Sequence, residues 1–293
     1  MREKKIKRNL PALILFLIVL QVFAVFLTYN LIVLQVEVPQ YEPFGNVTIG
    51  QAGLNALLLL IPVVVFTLIF IVFLKILGMK ILRLILMLLS ISAVFFLNPV
   101  YAFALLTNYF SSSSASILSY LLTFVLIAFV MYSFIGYNFW VSNIATFVVS
   151  AEIGSLFAIM LSPPTLFVIP VAFLLYDIYA VFFGPLKTFV KELKKRGKAV
   201  KIKKDEVRRG LNLRILIANI GGFSIGSGDL FFYSLLASAA FILGGIFAAF
   251  IVMLAVNFGI LINLVLLVKY KRMLPGLPIP LALGLLILLF FWY

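Results

Sequence analysis

Apolar residues in this chain run in long blocks, separated by short polar or charged breaks. Nine blocks are long enough to be membrane spans, since about 20 residues of helix cross a hydrocarbon core of roughly 30 Å. They lie near 10–36, 54–74, 81–106, 117–135, 139–161, 166–186, 213–243, 246–268 and 277–293. The first is too long for a signal-peptide core and has no small-residue cleavage site after it, so it reads as a span. Pro99 is expected to kink the third span. The breaks carry turn chemistry: Gly78 between Lys80 and Lys75, the serine-rich stretch 108–116, the turn 136–138, Pro163-Pro164, and Gly244-Gly245. Residues 187–212 form the one long hydrophilic loop, and Trp292-Tyr293 is an interfacial aromatic ending. The pattern predicts an all-α polytopic membrane protein of nine transmembrane helices, one domain over residues 1–293.

Composition supports lipid as the solvent. Apolar residues make up 65% of the chain and charged residues 11%, against roughly 25% charged in a soluble domain. The net charge of +14 invites a nucleic-acid reading, but the basic residues lie in the breaks between apolar blocks. With the amino terminus in the cytoplasm, all 23 Lys and Arg fall in the head, the Gly78 turn, the 187–214 stretch and the 269–272 turn, on one side. The other side carries Glu37 and Glu42. That is the positive-inside rule. It predicts a cytoplasmic amino terminus, a carboxyl terminus on the opposite side, the lipid bilayer as partner and no nucleic acid.

There is no cysteine and no histidine. Thiol nucleophiles, disulfides, histidine bases and almost every zinc site are excluded. No metal site and no cofactor are expected. Gly222-Phe223-Ser224-Ile225-Gly226 matches the serine-hydrolase pattern, but without histidine it reads as a glycine-rich approach to the seventh span.

Three acids remain inside apolar spans: Glu152, Asp177 and Asp229. A carboxylate at the centre of a lipid-embedded helix costs about 2.5–3.5 kcal/mol on insertion scales. Such a residue faces a cavity, finds a partner or carries function. Glu152 is expected to face a water-filled cavity. Asp177 and Asp229 lie on consecutive antiparallel spans joined by the long loop. Asp177 is ten residues from Lys187, roughly 15 Å along a helix. Glycines before Asp229 can break its helix and bring it to the same depth. Two facing carboxyls share a proton, one remaining acid while the other is ionised, which suffices to activate water and protonate an amide. Two other readings stay open on burial alone: polar residues satisfied by Tyr176, Tyr179 or Tyr233, and an ion or proton pathway using the same carboxylates. A carrier usually shows internal repeats, and none is evident.

Local motifs add to this. Tyr176-Asp177, Gly226-Ser227-Gly228-Asp229 and Pro275-Gly276-Leu277-Pro278 occur in that order. In them the chain resembles the presenilin and signal peptide peptidase class of GxGD intramembrane aspartyl proteases. That pattern is Tyr-Asp in span six, Gly-x-Gly-Asp in span seven and Pro-Ala-Leu before span nine. Ala180-Val181 after Asp177, Phe232-Tyr233-Ser234 after Asp229 and the orientation are presenilin-like. The resemblance implies an aspartic-type endopeptidase, a hydrolase cutting transmembrane segments, with Asp177 and Asp229 catalytic. It implies substrate contacts at Tyr176, Gly226, Gly228, Pro275, Gly276, Leu277 and Pro278. Single-span membrane proteins or peptides are the expected substrates. The short head and tail imply a microbial or archaeal homologue acting without obligatory partner subunits. Gly276 departs from the alanine of the pattern, and the 187–214 stretch lacks the apolar segment at which presenilins cut themselves.

Overall fold

A computed structural model of the chain describes residues 2–36, 38–45, 48–76, 78–135, 138–182, 217–220, 223–270 and 275–292. In chain order the elements are α1 (Arg2–Val33), α2 (Ile49–Ile76), α3 (Gly78–Leu106), α4 (Ser112–Ile135), α5 (Phe139–Met160) and α6 (Pro163–Phe182). Then come β1 (Ile217–Ile220), β2 (Phe223–Gly226), α7 (Ser227–Tyr270) and α8 (Pro278–Leu289). Among the described residues seven helices, α1 to α7, are long and apolar enough to cross a membrane, and α8 is a shorter apolar helix. Their outer faces present Leu58, Ile61, Leu88, Phe96, Leu121 and Phe124, which are exposed in the isolated chain. Helices of this length with apolar outer faces make an integral multi-pass membrane protein, because each satisfies its own backbone in hydrocarbon.

α7 is the central element. It packs on α8, α5 and α1, while α3 lies on α4 and α2 on α6. The main core gathers Leu17, Leu20, Leu230, Leu235, Leu236, Val256, Leu281 and Leu285. A second cluster, with Leu86, Val94, Val130 and Phe134, joins α3, α4 and α5. Close approach in lipid needs small residues, since apolar burial there gives little drive. α5 presents Ser150, Gly154 and Ala158 at successive turns, all buried. A Cβ at Gly154 would lie 2.6 Å from the Ser234 Cβ and 2.8 Å from the Phe231 carbonyl. Polar stitches complete the packing. Asn257 donates to the Gln21 Oε1 at 2.7 Å, and the Tyr41 N–H donates to the Met160 carbonyl at 2.8 Å, fixing the loop after α1.

Several expectations change. The sequence places the seventh span at 213–243, entered through glycines able to break its helix. Residues 217–220 and 223–226 pair as antiparallel strands with Ile217 opposite Gly226 and Asn219 opposite Ser224, so a two-stranded sheet is added to the all-α plan. Asn219, Ser224 and the isoleucines are poor helix formers. A buried side chain supplies the missing ladder: Asn143 of α5 donates to the Asn219 carbonyl at 2.8 Å and accepts from the Asn219 N–H at 2.9 Å. α7 is not one straight rod. Gly244 and Gly245 leave helical geometry, Gly245 at φ 70°, a conformation open to glycine and strained for other residues. α1 already begins at Arg2, α4 takes up Ser112 from the serine-rich stretch, and α8 ends at Leu289. The loop 187–212 lies outside the described residues.

Candidate active site

Asp177 lies near the end of α6 and Asp229 in the first turn of α7. The strand pair explains the second placement. β2 ends at Gly226 and the helix starts at Ser227, so Asp229 sits at a helix amino terminus, where the helix dipole favours a carboxylate. Gly226 lies beside it: a Cβ there would be 3.6 Å from the Asp229 Oδ2. Gly228 has open space around its own Cβ position.

The segment before α8 reaches both acids. The Leu277 N–H donates to the Asp177 Oδ2 at 3.1 Å. Gly276 lies against Asp229, since a Cβ on it would be 2.8 Å from Oδ2 and 3.2 Å from Cγ and Oδ1. Pro275 and Gly276 are half-buried and Leu277 is buried. Pro278 opens α8 with no side-chain cap before it; proline suits that first-turn position. Of the residues singled out in sequence, the structure brings Asp177, Asp229, Gly226, Gly276 and Leu277 together. Tyr176 is directed elsewhere, its hydroxyl donating to the Thr67 Oγ1 of α2 at 3.2 Å. Tyr179 is exposed, and the Tyr233 hydroxyl is 3.4 Å from the Gly276 carbonyl, as its donor. Among the described residues no tyrosine hydroxyl hydrogen-bonds either aspartate.

Two features near the site were not read from sequence. Asn263 donates to the carbonyls of Pro275 and Gly276, at 3.1 and 3.2 Å. A cavity of about 310 Å³ lies beside Ser227, Gly228 and Phe231, walled by Phe66 of α2, Ser90 of α3 and Ser150 of α5. The only sequence signal for Asn263 is an amide in an apolar helix, which marks a buried partner without naming it.

The remaining candidates resolve differently. Glu152 is 2% exposed and borders a cavity of about 420 Å³ whose walls are mostly Leu, Val, Phe and Ala side chains. Asn98 donates to its Oε1, Thr123 donates to the Asn98 Oδ1 at 2.9 Å, and Oε2 has no partner. Ser224 of the serine-hydrolase pattern donates its hydroxyl to Asn219 across the strand pair. Among the described residues no group of three or more His, Cys, Asp and Glu is placed to hold a metal ion.

Fold and site together define a class: a multi-pass helical membrane protein in which one backbone segment meets two span-borne carboxyls. Comparison with known proteins points the same way. The presenilin family model matches residues 198–292. Presenilin-B of Dictyostelium discoideum is 32% identical over 126 residues, 42% of this chain and 24% of that protein. The chain thus matches about a quarter of the length of this curated relative. A solved structure of a presenilin family intramembrane aspartate protease, in space group C222, superposes with a TM-score of 0.61 at 17% identity, covering 96% of this chain and 98% of the other. A second, in space group P2, gives 0.53 at 18% identity and 95% of each chain. The chain therefore has the fold of these proteins over nearly its whole length, and its likeness to presenilin in sequence lies in its second half.

Proposed function

We propose that this protein is an intramembrane aspartyl endopeptidase in which Asp177 and Asp229 are the acid and base. One observation carries the reading: Leu277 hydrogen-bonds Asp177 while Gly276 lies against Asp229, so two acids far apart in the chain share one small volume. The chemistry follows from their pairing. The ionised carboxylate takes a proton from water, and the resulting hydroxide adds to the scissile carbonyl carbon as the protonated carboxyl gives its proton to the carbonyl oxygen. The tetrahedral intermediate collapses, the C–N bond breaks, and the nitrogen leaves with a proton from the pair.

The substrate is a single-span membrane protein or peptide. Its helix hides each carbonyl in an i to i−4 hydrogen bond, so a stretch must unwind and find new backbone partners before attack. Two supports for an extended strand lie beside the acids. One is the 275–278 segment. The other is β2: Asn219 turns its backbone outward to Asn143, so its cross-strand partner Ser224, and Gly226 two residues on, also face away from β1. Adding a strand to a sheet edge is an established mode of peptide recognition. Gly226, Gly228 and Pro275 to Pro278 line this proposed cleft, and Tyr176, whose hydroxyl is bound to Thr67, does not. Counting the two arms of α7 separately, with α8, supports nine spans and termini on opposite sides, and the one-sided Lys and Arg support a cytoplasmic amino terminus. The substrate then enters with its amino terminus outside.

The test is cleavage of a single-span reporter peptide by purified protein in detergent. Asp177→Asn and Asp229→Asn should each abolish cleavage while leaving the protein folded, because an amide is neither acid nor base. Substantial activity in either variant removes that residue from catalysis.

A further inference from the structure

The second arm of α7, from Ile246 to Val268, contains two amides in otherwise apolar sequence, Asn257 and Asn263. Asn257 is bound to Gln21 of α1. Asn263 faces the other way. Gly259, one turn before it on the same helix face, is in contact with the start of α8: a Cβ there would lie 2.6 Å from the Pro280 Cα and 3.1 Å from the Ile279 carbonyl. Asn263 therefore sits one turn beyond a close contact between α7 and α8, at the height of the 275–277 segment.

Pro275 and Gly276 precede the helix, so no intrahelical N–H reaches their carbonyls. Within the bilayer no bulk water replaces one. A single amide NH2 has two donor hydrogens, and Asn263 directs them at these two carbonyls, at 3.1 and 3.2 Å. The next N–H along the chain, that of Leu277, donates to Asp177, and the Gly276 backbone also hydrogen-bonds Asp177. Gly276 also leaves no room for a Cβ beside Asp229. The peptide planes held by Asn263 are thus the ones whose placement sets the distance to both acids.

We propose that Asn263 is a positioning residue for the two-aspartate site, clamping the backbone of Pro275 and Gly276 so that this segment and the two carboxyls keep one relative geometry. The proposal rests on the protease reading for its catalytic consequence, but not for the clamp itself. Asn263→Leu keeps the volume and removes both donors. Asn263→Gln keeps the donors on a side chain one methylene longer.

Two measurements test it. The first is steady-state cleavage of the reporter peptide, with active sites counted by titration with a hydroxyl-bearing peptide isostere. Asn263→Leu should lower kcat per active site by about 10- to 100-fold, the range expected for misplacement by up to about 1 Å, with KM changed less than about threefold. Asn263→Gln should recover part of the loss. A purely structural role would lower the number of active sites and leave kcat per site unchanged. That outcome overturns the proposal, as does a Gln variant no better than Leu. The second measurement needs no activity. The chain has no cysteine, and Leu277 is 8% exposed, so in a Leu277→Cys background the thiol should react slowly with a maleimide. Adding Asn263→Leu should speed alkylation at least about fivefold, and an unchanged rate overturns the clamp. Failure of the wild-type protein to cut any reporter would count against the protease reading, and the alkylation rates would still decide the clamp.

Discussion

Alanine in place of Gly276 sets the resemblance and the geometry against each other. The presenilin-class motif carries alanine at this position, while here a Cβ would lie 2.8 Å from the Asp229 Oδ2 and 3.2 Å from its Cγ and Oδ1. Unstrained carbon contacts begin near 3.5 Å, so the carboxyl or the 275–277 segment must retreat by roughly half an ångström. Folding should tolerate this. The clash is with the end of a side chain, and Gly276 is not among the glycines with positive φ. The gain of about 0.4–1 kcal/mol from a less flexible unfolded chain offsets much of the strain. Catalysis should tolerate it less. A misplacement of 1 Å can cost about 100-fold, so half of that projects to a fall of about tenfold in kcat. The assay is reporter cleavage in detergent for wild type, Gly276→Ala and Gly276→Val, with thermal unfolding of each. The expected order is wild type, Ala, Val in kcat, with the Ala unfolding midpoint within a few degrees of wild type. An Ala variant as fast as wild type, or faster, refutes the reasoning, because it would mean Asp229 does not lie against Gly276 in the active state.

Three further outcomes follow from the same contacts. Leu277→Arg places a charge on a buried residue whose N–H meets Asp177, and cleavage should fall at least ~10-fold; a folded variant cutting at the wild-type rate would take this segment out of the substrate cleft. Asn98→Leu leaves the buried Glu152 carboxyl without its donor, at a cost of about 1–3 kcal/mol. Adding Glu152→Leu should restore most of that in thermal unfolding, and simple additivity would show that the pair is not coupled. Gly154→Val drives α5 against the backbone of α7 at Phe231 and Leu235 and should destabilise by about 1–3 kcal/mol; an unchanged unfolding midpoint would mean the two helices are not this close.

The sequence by itself determined the solvent, the approximate spans and the two acids, because each follows from a local cost. A helix in hydrocarbon must be apolar along its whole length, and a carboxyl inside one stands out against that background. Proline marked where helices begin, at Pro163-Pro164 and Pro278, and glycine where one breaks, at Gly244-Gly245. Tertiary structure decided who touches whom. Leu277 and Asp177 are 100 residues apart, Asn98 and Glu152 are 54 apart, and Asn143 reaches a strand 76 residues away. An amide or carboxyl in a span announces that it needs a partner, but not which one, since any helix of the bundle could supply it. The pairing of 217–220 with 223–226 was hidden for the same reason. Short strands in a membrane persist only where something else completes their hydrogen bonds, and here the completing residue, Asn143, lies on α5.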